Sequence, residues 1–124
     1  MNLTLKDRVI ILNGILPRFD TRSNIILISA IKEKLALSEK ENGDIVTTSA
    51  GNNQFDVSFK TVEAITDEKN FTLTDEETNY LAGRIDFIDQ NGMFSEDTMP
   101  TYEKVIEAKA AITPEQTGTP EPEP

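Results

Sequence analysis

Gln54-Phe55-Asp56-Val57-Ser58-Phe59-Lys60 alternates apolar and polar side chains without a break, and its reading decides the fold class. A period of two is the mark of a half-buried strand. Ile45-Val46-Thr47-Thr48-Ser49 is rich in β-branched residues, and Gly51-Asn52-Asn53 lies between the two runs as turn residues, so the pair predicts a β-hairpin. An isolated two-stranded ribbon is marginal in water. Phe55, Val57 and Phe59 are therefore expected to face helices.

Those helices are signalled on both sides. Thr4-Leu5-Lys6-Asp7 has the form of a capping box, and Leu5, Val9, Leu12 and Leu16 follow at helical spacing until Pro17, which cannot continue the turn. Asp20 or Thr21 is placed to cap a second helix running to about Leu37. Its run Ile25-Ile26-Leu27-Ile28 with Ile31 and Leu35 is apolar nearly all round, which predicts burial on several sides or an interface with a partner or a second copy. Ser38-Glu39-Lys40-Glu41 is another capping box, cut short by Asn42-Gly43. On the far side of the hairpin, Thr74-Asp75-Glu76-Glu77 combines a Thr cap, an acid at the third position and three acids in the first turn; a helix over about 75–90 follows, stopped by Asn91-Gly92. A last helix runs from near Ser95 or Pro100 to about Ala111. Between hairpin and third major helix, 61–70 reads as a continuation of the strand or as a connection, and Phe71-Thr72-Leu73 as a short strand. The fold class is α+β: an N-terminal helical pair, a central β-hairpin and a C-terminal helical pair, in one domain over 1–112. From 113 to 124 the chain has no apolar side chain beyond proline, so it is expected to be a disordered acidic tail.

Composition sets chemistries aside. The chain has no His, Cys or Trp, which removes thiol chemistry, imidazole proton shuttling and soft-metal ligation. No phosphate-binding loop, dinucleotide fingerprint or nucleophile elbow occurs, and Gly14 stands alone in an apolar helix. Asp86, Asp89 and Asn91 before Gly92 resemble part of a calcium loop, but that register puts Phe87 at the first position and Thr98 at the twelfth, where carboxylates are required. No catalytic residue, metal or cofactor is therefore expected. The mixed charge of Met1 to Arg8 does not make a leader, and no apolar run is long enough to span a bilayer, so a protein of the cytoplasm, or carried in a virion, is expected.

Charge is sorted along the chain. Residues 1–40 hold seven Lys/Arg against four Asp/Glu, net +3, while 41–124 hold five against eighteen, net −13. A body this acidic repels polyphosphate, so nucleic acid is not the expected partner and the cations are expected to face the protein's own acids.

Leu5-Lys6-Asp7-Arg8-Val9-Ile10-Ile11-Leu12, Ile15-Leu16-Pro17, Leu37-Ser38-Glu39-Lys40-Glu41, Phe71-Thr72-Leu73-Thr74-Asp75-Glu76-Glu77 and Tyr102-Glu103-Lys104 together resemble a group of small uncharacterised proteins encoded by bacteriophages and prophages of gut bacteria. That resemblance implies a mobile-element setting and a non-enzymatic role in assembly or host takeover. The expected function is a protein-interaction or assembly module whose partner is a host or phage protein or a second copy. The alternatives are an acidic mimic of a nucleic-acid backbone and, further off, a winged-helix DNA binder. The expected partner surface comprises Arg18 and Arg22 before and at the start of the second helix, with Asp75, Glu76, Glu77, Asp86 and Asp89 along the third major helix.

Overall fold

Thr4 begins the order of the molecule. Its hydroxyl accepts from the backbone of Asp7 at 3.0 Å and the Asp7 carboxylate accepts from the Thr4 backbone at 3.0 Å, closing the capping box. Helix α1 (Leu5–Ile10) starts there and continues as one wider, π-helical turn over Ile11–Ile15, ending where Leu16 N–H meets the Ile11 carbonyl at 3.2 Å. Just before α1, strand β1 (Asn2–Leu3) leads into the cap. The computed structural model describes residues 1–51 and 54–112, and for 48–51 and 54–56 the backbone only.

Thr21 is the residue that caps α2 (Arg22–Leu35), accepting from Asn24 N–H. Ser38 caps the single turn α3 (Glu39–Gly43) in a complete box with Glu41. The hairpin follows as β2 (Ile45–Gly51) and β3 (Gln54–Phe59), paired antiparallel with Ile45 opposite Phe59 and Thr47 opposite Val57. Residues 61–70 do not extend it. They form one turn, α4 (Glu63–Thr66), and then β4 (Lys69–Asn70), which pairs antiparallel with β1, Asn2 opposite Asn70. Helices α5 (Asp75–Gln90) and α6 (Met99–Ala110) complete the described chain. The fold is α+β, with a two-stranded hairpin, a two-residue ribbon and a helical core. Among the described residues no helix is long and apolar enough to cross a membrane.

The core is made by α1, its wide turn, α2, α5 and α6. Ile11, Ile15, Ile31, Leu35, Leu81 and Val105 have no exposed surface at all, and each such side chain contributes roughly 1.5–3 kcal/mol on leaving water. A second, smaller cluster of Leu5, Val9 and Ala64 meets Ile45 and Phe59 at the hairpin base.

Three expectations are corrected here. Helix α2 is not buried on several sides: Ile28, Ile31 and Leu35 face the core, while Ile26 is 65% exposed, because α5 covers one side only. The hairpin does not cover a helical face along its length, since Phe59 packs at its base but Val57 is already 47% exposed. Phe71-Thr72-Leu73 is not a strand; the strand is the preceding pair, with Phe71 N–H continuing the ribbon onto the Met1 carbonyl at 2.8 Å. The expected disordered tail over 113–124 and the side chain of Phe55 lie outside the described residues.

Candidate functional site

Pro17 ends the first helix and Thr21 opens the second, so 18–20 must turn on the surface. Asp20 fixes that turn. One carboxylate oxygen accepts from Thr21 N–H at 2.7 Å and from the Asn24 amide at 2.9 Å, and the other accepts from the Tyr80 hydroxyl on α5 at 2.5 Å. The Tyr80 hydroxyl and the Asn24 amide, with the Thr21 backbone, hold the Asp20 carboxyl below the usual carboxylate range. Burial and the Asp20 charge push the Tyr80 phenol up, so this bond persists across neutral pH. A second tie comes from Arg84, one turn further along α5, whose Nε donates to the Ile15 carbonyl at 3.2 Å.

What these ties present is the Phe19 ring, 84% exposed, with the Arg18 guanidinium 5.7 Å from its centroid. On α5, Arg84 lies 5.0 Å from the centroid of Phe87, itself half-exposed. Arg22 and Ile26, one turn apart on α2, are also exposed. Two arginine–aromatic pairs thus lie on the loop and the helix that Asp20 and Arg84 tie together, with Arg22 exposed at the start of α2. Arginine and aromatic residues are the types that carry most energy at protein interfaces. Among the described residues Arg18 and Arg22 form no ion pair, whereas Lys6, Arg8 and Lys34 pair with Asp97, Glu41 and Glu77 of the acidic part. The expectation that the cations face the protein's own acids therefore holds for the second group and, among the described residues, not for the first.

No family model, no curated protein and no solved structure matches this chain.

Of the expected partner surface, Arg18 and Arg22 are both exposed, before and at the start of α2. The acids do not. Glu77 is 3% exposed: its carboxylate accepts from the Thr74 backbone at 2.9 Å and from Lys34 at 2.7 Å, so it closes a capping box and joins α5 to the end of α2. Burial pushes its carboxyl up, but the Lys34 ammonium and the Thr74 backbone outweigh that and leave it lowered. Asp75 and Glu76 are exposed in the first turn of α5, Asp86 and Asp89 near its end. At 1.5 Å per residue, Asp75 and Asp86 stand about 16 Å apart, whereas a nucleic-acid strand carries a phosphate every ~3.4 Å of axis. That spacing gives no support to a backbone mimic.

Phe19, Phe87 and Arg84 were not in the expected set. One signal was present: Phe19 is a large apolar side chain between a helix-ending proline and a helix cap, where no periodic stripe gives it a core to enter. Among the described residues no group of three or more Asp or Glu is placed to hold a metal ion.

Proposed function

We propose that this protein is a non-catalytic interaction module that docks an acidic partner protein through the Arg18–Phe19 turn, with Arg22 at the start of α2 and the Arg84–Phe87 pair on α5. The observation that carries this reading is a phenylalanine 84% exposed on a loop that three hydrogen bonds to Asp20 hold in place. An aromatic anchor already ordered before binding loses little conformational freedom on docking, and burying its ring is worth about 1.5–3 kcal/mol. The three arginines favour carboxylates on the other side, and Arg presents them a planar fork. The resemblance of the caps and stripes to phage and prophage proteins supports an assembly or host-takeover setting, in a host cytoplasm or on a virion.

The test compares the wild-type chain with the double variant Phe19→Ala, Phe87→Ala in quantitative pull-downs from bacterial lysate and from phage particles. A protein retained by the first and lost by the second, with unchanged circular dichroism, is the expected result. Identical recoveries for both chains sink the reading.

A further inference from the structure

The wide turn Ile11–Ile15 opens a second feature on the other side of α1. Between α1 and the hairpin base lies a groove of about 550 Å³. Val9 and Ile10 of α1 and Val57 and Phe59 of β3 give it apolar walls, and the polar side chains of Asn13 and Thr98 also line it. One end is closed by the ion pair of Lys6 with Asp97 at 2.5 Å. The other end reaches Gly14 and Tyr102. Lys6 and Gly14 stand eight residues apart in one continuous helical stretch, so the groove is about 12 Å long.

Tyr102 is the informative residue. It is 4% exposed and its ring packs edge-on against Phe94 at 4.9 Å between centroids, yet its hydroxyl has no hydrogen-bond partner among the described residues. A buried tyrosine hydroxyl ordinarily has one, since leaving a buried polar group unsatisfied is costly. The hydroxyl lies 3.7 Å from the point where a side chain on residue 14 would begin. Glycine at that position keeps the space in front of the donor open. Wide π-type turns inside helices are often found at functional sites, and here one brings the glycine to the groove.

We propose that this groove binds a neutral, elongated apolar molecule that carries one carbonyl-type acceptor, with the chain against Val9, Ile10, Val57 and Phe59 and the acceptor on the Tyr102 hydroxyl. A neutral ligand is favoured over a carboxylate on two grounds. A single hydroxyl does not compensate a buried anion, and the protein's net charge of −10 repels one on approach. The Lys6–Asp97 pair at the far end already neutralises itself. This site is separate from the Phe19 surface, and neither reading depends on the other.

The experiment is an NMR titration of the full chain with methyl octanoate, octane and octanoate, reading the Gly14 amide and the Val9 and Val57 methyl groups. Saturable shifts at these positions with the ester are expected. Tyr102→Phe, which removes only the donor, weakens ester binding by about 2- to 10-fold, to the level of octane; Gly14→Ala, whose methyl makes an ordinary contact with the hydroxyl, reduces it further while leaving the fold intact. Should Tyr102→Phe fail to fold, Val57→Asp at a half-exposed strand position must abolish ester binding. The proposal is overturned by an absence of saturable shifts, which is the result if water alone fills the groove. Shifts confined to other residues, tighter binding of octanoate than of its ester, or unchanged binding by Tyr102→Phe or Val57→Asp overturn it equally.

Discussion

Arg8 is the residue on which the most structure converges. It is 4% exposed, and its guanidinium donates to the Leu35 and Ala36 carbonyls at 3.3 and 2.5 Å, meets the Glu41 carboxylate at 2.5 Å and lies 4.8 Å from the centroid of the Phe71 ring. It satisfies the carbonyls at the end of α2 and anchors α3 through the same acid that closes the Ser38 box. Arg8→Ala leaves Glu41 and two carbonyls without their partner, so a loss of about 3–5 kcal/mol is expected from urea unfolding. Arg8→Lys should recover only a part, because an ammonium cannot span both the carbonyls and the carboxylate. The same site sets the acid limit. The Arg8 guanidinium beside Glu41 holds its carboxyl at about 2 instead of 4.5. With the folded value depressed, the unfolded chain binds a proton first as pH falls, so the contribution of Glu41 is complete above about 4.5 and is lost on the way down to about 2. Asp7 adds in the same direction: burial pushes it up, but Lys104, the Thr101 hydroxyl and the Thr4 backbone leave it lowered. Stability measured against pH should be flat at neutrality and fall steeply in that acid window, and Glu41→Gln should flatten the fall.

At the scale of elements, the structure was legible in the sequence wherever a side chain acts within its own turn. Thr4, Ser38 and Thr74 each close the box that their spacing announces. Gly92 likewise ends α5 in the left-handed region, φ 66°, with its own N–H on the Asp89 carbonyl and the Met93 N–H on that of Ile88, the paired bonds of a Schellman motif. Gly92→Ala should cost about 1 kcal/mol, seen as a lowered Tm, because a Cβ is strained there. What was not legible acts at long range or lacks a period. A two-residue strand such as β4 has no alternation to read, and its partner lies at the other end of the domain, at Asn2 and Leu3. The buried charges Asp7 and Arg8 sit on an amphipathic helix where solvent exposure is the ordinary outcome, and their burial rests on distant partners, Thr101 and Lys104 for Asp7 and Glu41 with the Leu35 and Ala36 carbonyls for Arg8. The Phe19 surface depends on Asp20 reaching Tyr80, sixty residues away. The hairpin was read correctly as a hairpin and wrongly as a cover. Since Val57 is already half-exposed while Leu81 and Ile85 are fully buried, amides of Val46 and Ser58 should exchange with solvent well before those of Leu81 and Ile85.

Across the whole molecule, charge does two separable things. The pairs Arg8–Glu41, Lys104–Asp7 and Lys34–Glu77 are in direct contact, each with at least one largely buried member, so salt screens them little. Arg18 and Arg22 face solvent. Raising ionic strength should therefore leave unfolding stability nearly unchanged while slowing capture of an acidic partner by about tenfold or more, readable as the association rate on an immobilised chain. The sequence showed the charge sorting but not this division, because both groups of cations sit in the same early stretch.

Asp7 is 5% exposed, and its carboxylate is held by Thr101 and Lys104 of α6, while β1 is completed by β4. During vectorial synthesis the first helix therefore leaves the ribosome with a charge it cannot bury and a ribbon partner not yet translated. It must wait, uncommitted, until α6 has emerged. A nascent chain arrested before Thr101 should be digested by protease along its whole length, and one released after Ile112 should become resistant in a single step.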